Sequence, residues 1–295
     1  MRIAVAATPA LSIPALETLH RNHEISFVLT QPDRPSGRGR TLRESEVAQW
    51  AHSKGLQIFK DIHSCNLLST VNLVVTVAYG VLIPERLLRL PRHGFINLHY
   101  SLLPLWRGAA PVQRALMAGD KKTGVTVFQL DAGMDTGPIY VQEEIAIDDE
   151  WRAQELFDAL NEIGGKSLLD AIEQITAGKS PKAQQGEGSL APKIAKSEFH
   201  IDFSQEAQKV RNLVRALSPF AYTTYRSQRV KVLSASAGLA QVGATGEVLS
   251  LEPLTVACGK GSSIIIEQVL PEGKRAMSAA EWIRGSRLQT GVRFE

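Results

Sequence analysis

The chain has 295 residues, of which 44% are apolar and 21% charged, and its formal net charge is +3; this is the balance of a soluble globular protein with one large or two ordinary domains. The apolar run after Met1 ends at Pro9, too early for a secretion signal or a membrane span, which predicts a cytoplasmic protein without membrane contact. Cys65 and Cys258 stand far apart, which argues against a disulfide framework and a zinc knuckle and predicts buried, reduced thiols.

Short β-rich runs alternate with helical segments through the first half of the chain. The predicted strands are residues 2–7, 25–30, 72–80 and 95–99, and the helices between them are 13–21 and 84–90. Unbroken apolar runs such as NLVVTVA suit strands that are buried on both faces. The alternation predicts an α/β domain with a Rossmann-like, mostly parallel sheet. Antiparallel strands at 124–130 and 139–147 and a helix at 152–177 are predicted to complete it.

The composition changes after residue 180. Residues 181–195 are rich in Gly, Ser, Pro and Gln and are predicted to form a linker, so the first domain is placed at 1–180. Beyond it, one helix at 206–217 precedes several short β runs that are separated by Gly- and Pro-bearing turns. Short strands at close spacing predict that residues 196–295 form a small β-barrel, with an OB-like fold as the leading candidate.

Several cofactor and catalytic motifs are absent. The turn after the first strand reads AATPALS, without the glycines that a dinucleotide-binding fold needs for its pyrophosphate. No P-loop, no H-E-x-x-H pattern and no G-x-S-x-G elbow occurs in the sequence. The sequence therefore predicts no NAD, no nucleotide triphosphate site and no metal.

A polar pair ends one of the predicted strands. In FINLHYSLLP, Asn97 and His99 are two residues apart and therefore point to the same side of the strand, whereas Ile96 and Leu98 point to the other. Open α/β sheets bind their ligands at the carboxyl ends of the strands. The pair is either the start of a site there or a hydrogen-bonded structural pair, and its pattern alone does not decide between them.

A second polar element is the turn DAGMDTG (131–137). Asp and Gly are common turn residues, so a purely structural turn is one interpretation. In the other, Asp135 orients His99 and raises its pKa, giving an imidazolium that stabilises a developing oxyanion together with an Asn97 hydrogen bond.

Longer blocks around these residues are similar to a known family. The stretch INLHYSLLPLWRGAAPVQRAL (96–116) resembles the signature of the folate-dependent formyltransferases, and DAGMDTG resembles their aspartate loop. Further similarity lies in QPDRPSGRGR, VAYGVLIPERLL and the PKIAKSEFHIDF segment. The resemblance covers nearly the whole chain, and its RGAAP and SLLP blocks are the specific part.

The resemblance implies formyl transfer from 10-formyltetrahydrofolate to the α-amine of methionine on initiator Met-tRNA, by a monomer that needs no metal. Asn97, His99 and Asp135 match the family's catalytic residues. The family's folate-contacting turn corresponds to Ser101, Leu102, Leu103 and Pro104. The implied chemistry is attack by a neutral amine, an oxyanion held by Asn97 and protonated His99, and proton movement aided by Asp135 through water.

Basic residues suggest where RNA binds. Residues 191–295 hold 14 Lys and Arg against 9 Asp and Glu, whereas the rest of the chain is slightly acidic; such asymmetry points to a polyanionic partner or to a solvated basic surface. In the family, the loop corresponding to 33–43 enters the acceptor stem of the tRNA. The candidate tRNA contacts are Arg34, Arg38, Arg40, Arg43, Lys193 and Lys196, with Lys209, Arg211 and Arg215 as further phosphate contacts.

Departures from the family pattern accompany these matches. Tyr100 stands where a small residue or proline is usual, and Leu105 replaces a basic residue. Both are expected to alter the mouth of the substrate site. Two other readings remain open: a formyltransferase that acts on a sugar-nucleotide amine, and an RNA-binding protein whose formyltransferase domain is silent. A dehydrogenase and a Ser101-His99-Asp135 hydrolase are more distant, because each lacks its motif.

Overall fold

The computed structural model describes residues 1–36 and 41–295, which form two compact units. The first unit consists of Met1–Pro111, Lys122–Ala146 and Phe157–Pro192, and the second of Val112–Lys121, Ile147–Leu156 and Lys193–Glu295. The single boundary expected near residues 181–195 is therefore too simple. Residues up to Pro192 pack with the first unit, and two short earlier segments belong to the second.

A seven-stranded sheet forms the core of the first unit. Its order is β10-β9-β7-β6-β1-β2-β5, with all pairs from β7 to β5 parallel and the β9 and β10 pairs antiparallel. The strands of this unit are β1 (Arg2–Ala7), β2 (Glu24–Leu29), β3 (Arg34–Ser36), β4 (Thr41–Arg43), β5 (Gln57–Phe59), β6 (Leu73–Val77), β7 (Phe95–His99), β8 (Arg107–Gly108), β9 (Lys122–Gln129), β10 (Ile139–Ala146) and β11 (Leu190–Ala191). The Rossmann-like prediction, with antiparallel strands added, is confirmed.

Burial explains why these runs are strands. All five residues of β6 are buried, as are the last five of β1, so both faces of the central sheet are covered. The first five helices of the chain are α1 (Ile13–Asn22), α2 (Glu46–Ser53), α3 (Glu85–Leu88), α4 (Pro111–Ala118) and α5 (Ala153–Thr176). Helix α1 buries Ala15, Leu16 and Leu19 on one face, and α2 begins after Ser45, whose Oγ accepts a hydrogen bond from Ala48 N.

The parallel order fixes one edge of this sheet as the place for a site. The carboxyl ends of the neighbouring strands β1, β6 and β7 lie along the same edge, because parallel strands run in the same direction. Pro9 and Tyr79, which follow β1 and β6, and His99, the last residue of β7, line a common cleft. The fold therefore delivers the polar end of β7 to the edge where open α/β sheets bind ligands.

The second unit is built on an antiparallel sheet that curls into a half-barrel. Its strands are β12 (Tyr222–Tyr225), β13 (Gln228–Ala237), β14 (Val248–Leu251), β15 (Leu254–Ala257), β16 (Ser263–Pro271) and β17 (Met277–Ser278), and its later helices are α6 (Ala207–Leu217) and α7 (Ala279–Ser286). The order is β12-β13-β16-β15-β14, with β17 paired to β16. The predicted β-barrel-like second domain is confirmed.

Cys65 and Cys258 are both unpaired and buried, as predicted. Within residues 1–36 and 41–295, no helix is both long and apolar enough to cross a membrane.

Candidate active site

The carboxyl end of β7 carries two polar side chains into one cleft. Asn97 and His99 both line it, as their spacing of two along a strand predicts. The cleft has a volume of about 550 Å³, and Asp135 lines it as well. The structure thus brings together the three residues that the sequence predicts to be catalytic.

His99 is almost fully buried, with 5% of its surface exposed. Its Nε2 lies 2.8 Å from the backbone oxygen of Trp106. A carbonyl oxygen only accepts hydrogen bonds, so Nε2 must carry the hydrogen and donate it. In the neutral ring the other nitrogen, Nδ1, is then an unprotonated acceptor, and it lies 3.7 Å from Asp135 Oδ2.

The protonation state of His99 differs from the sequence prediction. Burial lowers the pKa of His99 below its ordinary value, and this effect outweighs the opposing influence of the Asp135 charge and of the hydrogen bond to Trp106. The sequence predicted an imidazolium because it indicated a carboxylate neighbour but not the depth of burial. Burial therefore favours the neutral form of the imidazole.

Asn97 is oriented by a residue that the sequence analysis missed. Thr76 on β6 is directly paired with Asn97 on β7, and its Oγ1 lies 2.7 Å from Asn97 Oδ1. The hydroxyl has one hydrogen, which it shares between the Asn97 amide oxygen and the backbone oxygen of Ile96 at 3.0 Å, and with the amide in this orientation the Asn97 Nδ2 group is left to donate elsewhere. The signal for Thr76 was present in the sequence, because it is the one polar residue in the apolar run LVVTV.

The two aspartates of the DAGMDTG turn have different tasks. Asp131 Oδ1 accepts hydrogen bonds from Gly133 N and Thr136 Oγ1, and it therefore shapes the turn itself. Asp135 Oδ2 instead accepts from Gly108 N at 2.8 Å. Its backbone has a φ of 54°, a left-handed conformation that is costly for a residue with a side chain and that clusters at functional sites. Asp135 is thus the reactive candidate of the pair.

The predicted folate-contacting turn has a different position from the catalytic residues. Among the described residues that line the cleft, Ser101, Leu102, Leu103 and Pro104 do not appear. Ser101 is fully buried, and its Oγ donates to Leu105 O at 2.6 Å. These residues shape the chain after β7, and their contact with folate stays a prediction that depends on the resemblance.

Tyr100 is one of the residues that line the cleft, so its effect on the substrate site stays a prediction. Its ring packs edge-on against Phe157, and its hydroxyl donates to Asn161 Oδ1 at 2.7 Å in the buried interior. Tyr100 is only 5% exposed, so it anchors the end of β7 to helix α5. Leu105 is 45% exposed and stays a candidate for an altered surface.

Two of the predicted RNA contacts of the first unit, Arg34 and Arg43, lie on a small hairpin of β3 and β4. Arg34 and Arg43 are paired across this hairpin, and both are exposed. Lys60 holds the base of the hairpin through hydrogen bonds from Nζ to both Asp33 carboxylate oxygens and to Glu44 Oε1. Arg38 and Arg40 lie outside the described residues.

The predicted RNA contacts of the second unit have mixed outcomes. Lys193, Lys196 and Lys209 are exposed, as a contact with phosphate requires. Arg211 and Arg215 are buried, at 8% and 7% exposure. Their guanidinium groups donate to the backbone oxygens of residues 148, 149 and 151, and Arg211 also pairs with Glu150. The prediction of phosphate contacts by these two arginines is therefore wrong.

A second basic surface was missed by the sequence analysis. Arg229 lies over the ring of Tyr222, with 4.1 Å from Cζ to the ring centroid, and Lys231 lies over the ring of Phe220 at 5.5 Å. Phe220 is 54% exposed. The signal was the alternation of Arg229 and Lys231 along β13, but strand pairing was needed to place the rings beside them. We call Phe220, Tyr222, Arg229 and Lys231 the aromatic-basic surface.

Comparison with known proteins identifies the family of this chain. A family model described as formyl transferase matches residues 1–172, and one described as formyl transferase, C-terminal domain, matches residues 193–287. Methionyl-tRNA formyltransferases from Jannaschia sp. and Acidothermus cellulolyticus are 41% and 42% identical to this chain, with full coverage of both chains in each case. A solved N-formyltransferase from Helicobacter canadensis, in complex with folinic acid and dTDP-3-aminofucose, superposes with a TM-score of 0.69 at 17% identity, over 90% of this chain and 98% of that one.

The fold and the cleft define a two-unit enzyme of the group-transfer class, with an amide, an imidazole and a carboxylate at the end of a Rossmann-like sheet. The family matches cover more than half of the chain, and the relatives match its whole length. The chain belongs to the formyl transferase family.

Proposed function

We propose that this protein transfers the formyl group of 10-formyltetrahydrofolate to the α-amine of methionine on initiator Met-tRNA in the cytoplasm. The observation that carries the proposal is the convergence of Asn97, His99 and Asp135 in one cleft. The full-length identity to methionyl-tRNA formyltransferases supports the choice of acceptor.

The neutral state of His99 suggests how the proton moves. In formyl transfer the attacking amine loses a proton and the leaving nitrogen of the folate gains one. His99 Nδ1 can accept the proton that the amine loses, because Nε2 already donates its own hydrogen to Trp106 O. The resulting imidazolium lies 3.7 Å from Asp135 Oδ2, whose charge stabilises it. The proton then passes to the leaving nitrogen as the bond from that nitrogen to the formyl carbon breaks.

Asn97 stabilises the negative charge that forms during the reaction. When the amine attacks, the formyl oxygen becomes an oxyanion, which a fixed hydrogen-bond donor stabilises. The Asn97 amide oxygen accepts a hydrogen bond from Thr76, so Nδ2 is the group that donates to the oxyanion. Asn97 and His99 therefore divide the chemistry, with the oxyanion assigned to Asn97 and the proton to His99.

The shape of the cleft suits a folate as formyl donor. One side of it is apolar, with Tyr79, Ile83, Leu88 and Leu130 among its lining residues. A folate pterin ring is flat and largely apolar on its faces, so such a wall can bury it. We propose that the ring binds there and that the formyl group points towards Asn97 and His99.

The acceptor has several candidate contacts. In the first unit we propose Arg34 and Arg43, with Arg38 and Arg40 of the same loop. In the second unit we propose Lys193, Lys196 and the aromatic-basic surface, because cations and exposed rings together suit RNA phosphates and bases.

One experiment tests the proposed function. The purified protein is incubated with 10-formyltetrahydrofolate and either initiator Met-tRNA or a nucleotide-linked aminosugar, and formylation is followed by mass spectrometry. We expect turnover on Met-tRNA and none on the sugar. Preferred formylation of the sugar would replace the proposed acceptor, and no formylation of either, with intact tRNA binding, would favour a silent RNA-binding protein.

The pKa of His99 can be measured directly. Its folded pKa is lowered, so protonation is easier in the unfolded chain and the unfolded chain gains protons first as the pH falls. The stability contribution of neutral His99 is therefore complete above the ordinary histidine pKa of about 6.5 and is lost as the pH falls towards the folded value. We expect NMR titration of the His99 ring, assigned by its absence in His99→Gln, to give a midpoint below about 6.5. A higher midpoint would contradict the neutral-base mechanism.

The aromatic-basic surface gives a prediction for tRNA binding. The double variant Arg229→Gln and Lys231→Gln should raise the KM for tRNA and leave kcat largely unchanged, because neither residue lines the cleft that holds the catalytic cluster. If each cation contacts one phosphate, the slope of log binding constant against log salt should fall by about 2. Arg284→Gln, an exposed arginine on α7, is the matched control. An unchanged salt slope would remove this surface from the proposed interface.

A further inference from the structure

Residues 181–191 fold back along the first unit instead of leaving it. Lys182 exchanges backbone hydrogen bonds with Ile139, at 2.7 and 2.8 Å. Eight residues later, β11 pairs in parallel with β8, so that Leu190 lies opposite Arg107 and Ala191 opposite Gly108. The segment between these two attachments therefore runs beside both the Asp135 turn and the donor of its hydrogen bond.

The side chain of Gln184 joins these two elements. Its Nε2 donates to the backbone oxygens of Asp135 and Gly137, at 2.8 and 2.9 Å. Its Oε1 accepts from Arg107, at 2.6 Å to Nη2 and 3.2 Å to Nε. Two carbonyl oxygens need a donor and a guanidinium needs an acceptor, so the chemistry allows this orientation of the amide and not the reverse.

These hydrogen bonds support both the backbone and the side chain of Asp135. Gln184 holds its backbone oxygen while the residue is in the left-handed conformation, which is unfavourable without outside support. Gln184 also holds Arg107, and the next residue, Gly108, donates to the Asp135 carboxylate. Gly108 has a φ of 123°, and a Cβ there would lie 2.8 Å from Ala191 O, so the close approach of β11 needs glycine at this position.

We propose that Gln184 is a positioning residue that holds the Asp135 carboxylate beside His99. Gln184 acts through Asp135 and Arg107. The role rests on the proposed function, in which Asp135 stabilises the proton carried by His99. Gln184 lies 49 residues after Asp135 in a segment whose composition predicted only a linker, and the fold alone brings the two together.

The first test is a double-mutant cycle. Gln184→Leu keeps much of the side-chain volume and removes every polar contact. We expect its kcat to fall about 10- to 100-fold, with the KM values for donor and tRNA little changed, because small displacements of a reacting group cost up to about two orders of magnitude. In an Asp135→Asn background the same change should have almost no further effect, since the residue through which Gln184 acts no longer carries its charge.

Two further variants distinguish a loss of Asp135 positioning from a general loss of structure. Gln185→Leu changes the adjacent exposed glutamine and should leave kcat unchanged. Gln184→Glu keeps an acceptor for Arg107 but has no donor for the two carbonyl oxygens, so it should lose kcat like Gln184→Leu. It also keeps the proposal testable if Gln184→Leu does not fold. Equal losses of kcat in the wild-type and Asp135→Asn backgrounds would overturn the positioning role.

A readout without catalysis distinguishes this inference from the proposed function. If Asp135 moves away in Gln184→Leu, the pKa of His99 should fall further, because the Asp135 charge is what raises it against burial. NMR titration of the ring measures this whether or not formylation occurs. An unchanged His99 pKa would contradict the inference, whereas failed formylation by a wild-type chain that shows the coupling would contradict only the proposed function.

Discussion

Replacing His99 by alanine is expected to lower kcat for Met-tRNA formylation by about 10²- to 10³-fold, the usual effect of removing one preorganised group from a transition state. The variant loses both the proton acceptor at Nδ1 and the imidazolium that faces Asp135. The KM values should change much less, because His99 is small beside either substrate. Single-turnover formylation with saturating folate and tRNA measures the chemical step without product release.

The same variant also needs a check of folding. His99→Ala removes the part-buried hydrogen bond from His99 Nε2 to Trp106 O, which costs about 0.5–1.5 kcal/mol of stability. Thermal unfolding of the variant therefore accompanies the kinetic assay. His63→Ala is the control and should retain activity, because this histidine is exposed and its ring is hydrogen-bonded only to Arg86 in the described contacts. Near-normal turnover by a folded His99→Ala variant would show that the catalytic cluster is wrongly assigned.

Asp135→Asn should also reduce kcat strongly, by about 10²-fold or more. An amide still accepts the hydrogen bond from Gly108 N, so the turn keeps its shape while the charge is lost. At 3.7 Å the attraction between a carboxylate and an imidazolium is about 4 kcal/mol for an effective dielectric constant of about 20, which is enough for this effect. The measurement is again single-turnover formylation, now as a function of pH.

Asp131→Asn provides the matched control in the same turn. Its Oδ1 acceptor can be retained by the amide, and its charge faces no imidazole in the described contacts. We expect a much smaller loss of kcat than for Asp135→Asn. Equal losses for the two variants would mean that the turn needs its shape, or its total charge, and that Asp135 has no special role.

The features that could be predicted from the sequence are those with a local signal. Strand β7 is predicted at residues 95–99 and the structure has it at the same residues, because the alternation of side chains and the turn that follows are local signals. Asn97 and His99 line the same cleft because side chains two residues apart lie on the same face of a strand. The curl of the second unit followed from repeated short strands and turns.

The features that were missed depend on contacts between distant residues. Arg211 and Arg215 have the same sequence signature as surface arginines, and only the packing of residues 148–151 against α6 buries them. The state of His99 depends on how much of the fold covers it, and no neighbour in the sequence encodes that quantity. Gln184 lies in a stretch of low hydrophobicity, where composition gives no sign that its amide holds Asp135.

The return of β11 to β8 has a consequence for how members of this family could exchange parts. An N-terminal half that ends at residue 180 would lack the strand that pairs with Arg107 and Gly108, although it would contain Asn97, His99 and Asp135. A natural recombination or an engineered chimaera that replaces the later region would therefore have to join it after Pro192. It would also have to carry matching segments 112–121 and 147–156, because these belong to the second unit.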